Sequence, residues 1–335
     1  MANLTLRNPQ FKTIVVPSSG VLSTKCRISV NGTLVYTIIR NVLPSTTAYF
    51  DVSELARDFV DNSYSATFAT SSIDIVTVLE NFTEANASGT VVGSAVTFTD
   101  KGYEAYGTFE EGINPTLPTS ASWLISKNNN GNQYEIFVPE NTSGTIPYIS
   151  DLGVIGYVAY TGSSTIINFP DSGTGNDLII NRINCTKYGI GTRIIFINKY
   201  GTQQSLWFFL RKNENVSRSN TTFKSNTLLT NFATLPSPQY STTAPSTSVF
   251  NTQAKKSYTL SSGYYPEFAV EYFEELLLSE FVWIDKANST DDASINAIPL
   301  IVKSSSVSVK TSVNDRLIEY TMEFEDAFDY INNIR

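Results

Sequence analysis

A mainly β chain with two short helices, of α+β class, is what three features of the sequence predict. Short apolar and β-branched runs recur between Gly, Asn, Asp and Pro turns. Only 16% of residues are charged, so the polar surface is made of Ser, Thr, Asn and Gln, a composition that suits strands. The order hairpin, helix, several strands also occurs twice, which reads as two divergent copies of one sheet-plus-helix unit. The units occupy residues 1–115 and 178–335. Between them, 116–177 is an inserted β subdomain or a set of long loops, and an extended arm, 213–263, lies inside the second unit.

The chain has 335 residues, longer than one typical domain, and its 41% hydrophobic and 12% aromatic residues suffice for real cores. The first local signal is KCRISV-Asn31-Gly32-TLVYTII, since Asn-Gly between β-rich runs marks a two-residue hairpin. Pairing Val30 with Thr33 puts Cys26, Ile28, Val30 and Val35 on one face and Leu34, Tyr36 and Ile38 on the other. A helix is expected over 52–61, with Asp51 as cap, Glu54 completing a capping box, and Val52, Leu55, Ala56, Phe59 and Val60 forming one stripe. Strands at 73–79, 95–99 and 103–109 follow, the last two joined at Thr99-Asp100-Lys101-Gly102. In the middle segment 123–125, 134–138 and 153–160 read as strands around the turn-rich 127–132.

The densest apolar stretch is RIIFINKYGTQQSLWFFLR, residues 193–211. It reads as a hairpin around Lys199-Tyr200-Gly201-Thr202 with both faces apolar, so it sits in a double-covered core or presents its second face to another subunit. The arm that follows is rich in Ser, Thr and Pro and shows no sustained periodicity. Its plain reading is a linker, but a stretch this long inside a domain is disordered or held by something, and a neighbouring subunit would hold it. Trp207 and Phe209 of the hairpin and Phe223, Leu228, Leu229, Phe232, Tyr240 and Phe250 of the arm are the candidate interface residues. A helix is expected to begin near Pro266, burying Ala269, Tyr272, Phe273, Leu276 and Leu277. Strands at 281–284, 298–302, 307–310 and 317–324 close the chain, the last with Ile318, Tyr320, Met322 and Phe324 on its apolar side.

The chain contains no histidine, which removes the commonest general base and metal ligand together with every Ser-His or Cys-His pair. Its two cysteines, Cys26 and Cys185, build no zinc site alone and read as small buried hydrophobes. Neither a catalytic nor a metal site is expected, and no cofactor. The acidic pairs Glu110-Glu111, Glu274-Glu275 and Asp291-Asp292 read as solvated faces rather than glycosidase carboxylates. Asp285 to Asp292 lacks the spacing and Gly of a calcium loop, and Gly189-Ile-Gly191 leads into a strand rather than a helix. A net charge of −8 argues against sequence-specific nucleic-acid binding. The first residues lack a secretory pattern and no run approaches a transmembrane span, so no membrane insertion is expected.

Three stretches together, FDVSELARDFV at 50–60, FINKYG at 196–201 leading to LWFF at 206–209, and EYTMEFEDAFDYINNIR at 319–335, resemble tail-region ring, hub or neck proteins of crAss-like and related short-tailed bacteriophages. The resemblance implies β-sandwich or tube-like domains flanked by a helix and no enzymatic site. It also implies a homo-oligomeric ring beneath the portal or in the tail, joined to other portal or tail proteins in the virion and assembled in the host cytoplasm. A carbohydrate-binding tail fibre or adhesin, with middle-segment Tyr and Trp stacking on sugars, is the alternative, and a polysaccharide depolymerase using the acidic pairs is a third.

Overall fold

The computed structural model of the protein describes residues 2–66, 68–107, 117–118, 121–126, 134–170, 177–184, 191–225, 243, 245–285, 297–306 and 317–329. The fold is mainly β, and its two α-helices are short. In the first unit β1 (Ala2–Thr5), β2 (Phe11–Val15), β3 (Ser23–Val30), β4 (Thr33–Asn41) and β5 (Thr47–Asp51) precede α1 (Ser53–Arg57), and β6 (Ile73–Phe82) and β7 (Val91–Tyr103) follow it. Five of these strands form one sheet in the order β1-β7-β6-β3-β4, and β2 pairs with β5.

The β3–β4 turn is closed by Asn31 and Gly32, both left-handed (φ 48° and 82°), as the Asn-Gly signal requires for a type I′ turn. Val30 pairs with Thr33 as expected, but a bulge between Ile28 and Ser29 then shifts the register, so that Ile28 faces Tyr36 and Cys26 faces Ile38. Tyr36 and Ile38 therefore pack on the core instead of lying on the opposite face. The expected turn at 99–102 is a second correction, because β7 runs straight through it. Both turn-forming residues have packing roles there. Lys12 Nζ lies 2.5 Å from Asp100 Oδ2, too obliquely for a hydrogen bond, and offsets that buried charge. A Cβ on Gly102 would come within 2.7 Å of the Leu6 Cδ1 methyl and 2.8 Å of the Ile75 Cδ1 methyl, so any larger residue there would have to displace these buried side chains.

α1 is shorter than the expected 52–61. Asp51 does accept from Ser53, N–H at 3.0 Å and Oγ at 2.7 Å. Beyond Arg57 the helix gives way to i→i−3 bonds, Phe59 N–H to Ala56 O and Val60 N–H to Arg57 O. Val52 and Ala56 are fully buried, whereas Phe59 is exposed and meets Tyr36 edge-on with ring centroids 6.3 Å apart.

The middle segment is β structure: β8 (Ser122–Trp123), β9 (Tyr134–Pro139), β10 (Gly144–Ile149), β11 (Ile155–Tyr160), β12 (Ile166–Ile167) and β13 (Leu178–Ile183) form two three-stranded sheets, β11-β10-β8 and β12-β13-β9. Trp123, Tyr134, Ile136 and Leu178 from these strands belong to the same apolar cluster as the second unit.

That second unit comprises β14 (Thr192–Ile197), β15 (Gln203–Phe208), β16 (Lys212–Lys224), β17 (Thr247–Pro266), α2 (Val270–Leu278), β18 (Val282–Asp285), β19 (Ala297–Val302) and β20 (Leu317–Asp326). They form one seven-stranded sheet in the order β15-β14-β18-β19-β20-β17-β16. The strand expected at 307–310 lies outside the described residues. The two ends of the sheet meet. β15 and β16 are halves of one run, the first paired with β14 and the second with β17, and Phe209 and Leu210 N–H donate across to Ser262 and Ser261 carbonyls. The sheet thus closes on itself. α2 fills its interior, with the Phe273 ring 5.9 Å from Phe208, 5.2 Å from Tyr265 and 4.2 Å from Tyr320. Ile318, Tyr320, Met322 and Phe324 line the inside of β20 while Glu319, Thr321 and Glu323 face outward, matching the expected alternation.

The two units share more than a sequence of elements. Hairpin β3–β4, helix α1 and strands β6 and β7 lie in the order β4-β3-β6-β7, and hairpin β14–β15, helix α2 and strands β18 and β19 lie in the order β15-β14-β18-β19, antiparallel throughout. The second copy differs by the β16–β17 insertion and by β20, where the first carries β1 in parallel on β7.

Candidate assembly surface

Within the stretch expected to be an extended arm, residues 213–224 and 247–263 form a β ribbon. β16 and β17 pair from Lys212↔Leu260 to Lys224↔Thr247, and Ser, Thr and Asn occupy both faces. A strand exposed on both faces, as β16 is, needs no apolar alternation, which is why no period shows there; on β17 Ala254 is buried and Ser248, Asn251, Thr252 and Lys256 are half-buried. β17 pairs with β20 only from Ser257 to Pro266, so residues 216–224 and 247–256 reach beyond the sheet with no third strand among the described residues. All of β16 is exposed. The overhang carries Arg218, Lys224, Lys255 and Lys256 and no acid, in a chain whose net charge is −8.

At the root of the ribbon Glu214 lies 2.6 Å from Lys212 and in closer contact with Lys256. Burial works against the Glu214 carboxylate, but the two ammonium groups outweigh it and lower its pKa to about 2. Farther out, the register shifts at a bulge between Thr221 and Thr222, opposite Asn251 and Val249, and Phe250 and Phe223 are 56% and 48% exposed.

Of the interface candidates, Phe223 and Phe250 thus lie together near the bulge of the ribbon. Leu228, Leu229, Phe232 and Tyr240 lie outside the described residues, as do Cys185, Glu110-Glu111 and Asp291-Asp292. Trp207 and Phe209 require a correction, being only 2% and 5% exposed in their own chain. Arg193, paired with Asp285 at 3.3 Å, places its guanidinium over Phe68 and Trp207, while Phe209 packs on Tyr265 with ring centroids 5.6 Å apart. The second face of the central hairpin is covered by Tyr64 and Phe68 of the first unit together with Trp283, leaving nothing for a second subunit to cover.

A polar node lies behind the hairpin turn, assembled from residues whose spacing in the sequence carries no motif. Asn198 Nδ2 donates to Leu124 O at 2.7 Å, and its Oδ1 accepts from Tyr200 N–H and from Thr202 N–H and Oγ1, shaping the turn. Lys199 Nζ lies 3.1 Å from Glu275 Oε1 and 2.8 Å from Ser126 Oγ, and Ser126 Oγ in turn donates to Glu275 Oε1 at 2.5 Å. Tyr272 Oη donates to the Ser126 and Glu135 carbonyls.

A serine beside a lysine invites a nucleophile-and-base interpretation, which needs a neutral amine. Burial works against the Lys199 charge, but Glu275 and Glu271 outweigh it, and the amine is held above its ordinary range. Ser126 and Glu275 are 1% and 3% exposed. The node joins the turn, α2 and the middle segment, and its serine hydroxyl and Glu275 carboxylate are buried. A second charged cluster joins the units: Arg57 donates to both oxygens of the buried Glu104 and to Glu280, which also binds Arg7.

Between the first unit and the β10–β11 turn is a cavity of about 190 Å³ lined by Asn3, Thr70, Lys101, Tyr103 and Leu152. No cluster of three or more His, Cys, Asp or Glu side chains suited to a metal occurs among the described residues. No helix among them is long and apolar enough to cross a membrane. No family model, curated protein or solved structure matches the chain.

Proposed function

We propose that this chain is a non-enzymatic structural protein of a bacteriophage virion, forming a symmetric ring in the tail hub or neck and joining portal or tail components. The observation that carries the reading is the ribbon: a two-stranded projection, basic in an acidic chain, whose strand β16 is exposed along its whole length. An isolated two-stranded ribbon is at best marginally stable in water, so it is suited to being covered in an assembly. The resemblance of 50–60, 196–209 and 319–335 to tail-region proteins supports the same reading, as does a body whose principal sheet is closed and plugged.

The adhesin reading draws little support from the middle segment, where Trp123, Tyr134 and Tyr160 are buried and Tyr148 and Tyr157 half-buried, so no Tyr or Trp ring among its described residues is fully exposed. The depolymerase reading fares no better at Glu274-Glu275, where Glu275 is committed to Lys199 and Ser126. Electron microscopy and mass measurement of the purified protein at assembly concentration test the proposal. Closed rings built from one repeated heterologous contact are expected. A strict monomer or an isologous dimer overturns it, and so does release of reducing ends from capsular or cell-wall polysaccharide that Glu275→Gln abolishes.

A further inference from the structure

Several strands end a sheet among the described residues, and two long ones in different units, β4 and β16, each have an edge to which no backbone group among those residues is bonded. β4 is the last strand of the first sheet and makes backbone bonds only to β3. β16 bonds only to β17. An open edge offers a row of unpaired N–H and C=O groups, and natural proteins usually block it with lysines, prolines or a covering segment. β4, TLVYTIIRN, carries no lysine or proline; its protective features are Arg40 near its end and the bulge at Val35, and it exposes Leu34 and Ile39.

We infer that the ribbon of one copy adds, through the free edge of β16, to the free edge of β4 on the next copy, making a continuous sheet across the subunit boundary. The inference rests on the ring reading and specifies its contact. Length agrees: the overhanging part of β16, residues 216–224, matches the nine-residue β4, each about 30 Å at ~3.3 Å per residue.

Charge agrees as well. The overhang bears Arg218, Lys224, Lys255 and Lys256, whereas the segment tied to β4 by the Tyr36–Phe59 contact exposes Glu54, Asp58 and Asp61. Lys255 is paired with Glu325 and Lys256 with Glu214 in their own chain, so Arg218 and Lys224 are the overhang charges that attract the acidic remainder of a second copy. The two edges lie in different units, so the contact is heterologous and propagates from copy to copy.

The test uses the full-length chain. Thr37→Cys on β4 and Asn220→Cys on β16 are made in separate proteins, mixed under assembly conditions and treated with a short bismaleimide. A covalent pair in the mixture and in neither protein alone is expected. In a second arm, Arg218→Glu with Lys224→Glu raises the concentration needed for assembly about tenfold or more. Adding Glu54→Lys with Asp58→Lys restores it.

Rings that form without the crosslink, or crosslinks only between two copies of the Asn220→Cys protein, overturn the β4 contact and leave the ring reading standing. A chain monomeric at every concentration overturns both. Retention on duplex DNA that is lost with Arg218→Glu and Lys224→Glu, with no crosslink in the mixture, assigns the basic overhang to nucleic acid and overturns the proposal.

Discussion

Lys199 Nζ lies 3.1 Å from Glu275 Oε1, and that one contact ties the turn of the second hairpin to the helix that plugs its sheet. Removing one partner of a buried pair strands the other, at about 3–5 kcal/mol, whereas replacing both with apolar groups of similar size is often neutral. Glu275→Leu is therefore expected to lower the urea midpoint sharply, and Lys199→Met with Glu275→Leu to recover most of the loss. Equal losses in the single and double variants would show that the pair is not coupled. The Lys199 pKa is raised in the folded chain, so its contribution is complete at neutral pH and is lost only as the pH rises through the folded value.

Acid acts on the root of the ribbon. Glu214 titrates at about 2 instead of its ordinary 4.5, so its bonds to Lys212 and Lys256 contribute above 4.5 and fade as the pH falls toward 2. Amide exchange at residues 213–215 and 257–259 should be slower in the wild type than in Glu214→Gln at pH 6, and the difference should vanish at pH 2. A difference that persists at pH 2 would assign the protection to something other than this carboxylate.

Phe273 stacks on Tyr320 and meets Phe208 and Tyr265 edge-on, inside the closed sheet. Phe273→Ala leaves a cavity that these large rings cannot collapse into, and is expected to cost about 3–5 kcal/mol by urea unfolding. A cost below about 1 kcal/mol, the range for volume-conserving swaps, would mean that the helix is not the plug.

Deleting residues 217–248 removes the overhanging part of β16 beyond Val216, leaves residues 249–256 of β17 without that partner strand, and spares the strand pairs from Ser257 to Pro266 that join β17 to β20. Circular dichroism and melting of the body should be unchanged while assembly is lost. In the monomer, amides beyond Asn215 and Ser257 should exchange quickly, and in the assembly slowly. Full assembly by the deletion, or equal protection in both states, would show that the ribbon does not join copies.

Alternation and turn chemistry made much of this body legible in the sequence. Asn31-Gly32 located the first hairpin, Pro266 marked the approach to α2, and Ile318, Tyr320, Met322 and Phe324 gave the inner face of β20. What misled were residues whose local preference is overridden by packing. Asp100 and Gly102 spell a turn, yet one is paired with Lys12 and the other fits between Leu6 and Ile75. The bulge at Ile28 and Ser29 has no local signature, so the faces of Tyr36 and Ile38 came out reversed.

β16 was invisible for a different reason: with water on both sides of the strand there is no apolar period to read. Ser126, Asn198, Lys199 and Glu275 come from segments far apart in the chain and meet only after folding, and neither spacing nor composition announces them. Asn198 alone had a signal, since asparagine at the start of a tight turn bonds the backbone that follows.

The fusion of β15 into β16 has a mechanical consequence. One continuous run of chain is a wall of the closed sheet at one end and the projecting ribbon at the other, and its partner β17 is anchored in the same way by β20. A pull along the ribbon is directed along these strands and loads the rungs from Ser257↔Glu325 to Pro266↔Leu317 together, in shear, so that they yield as a group rather than unzipping one after another.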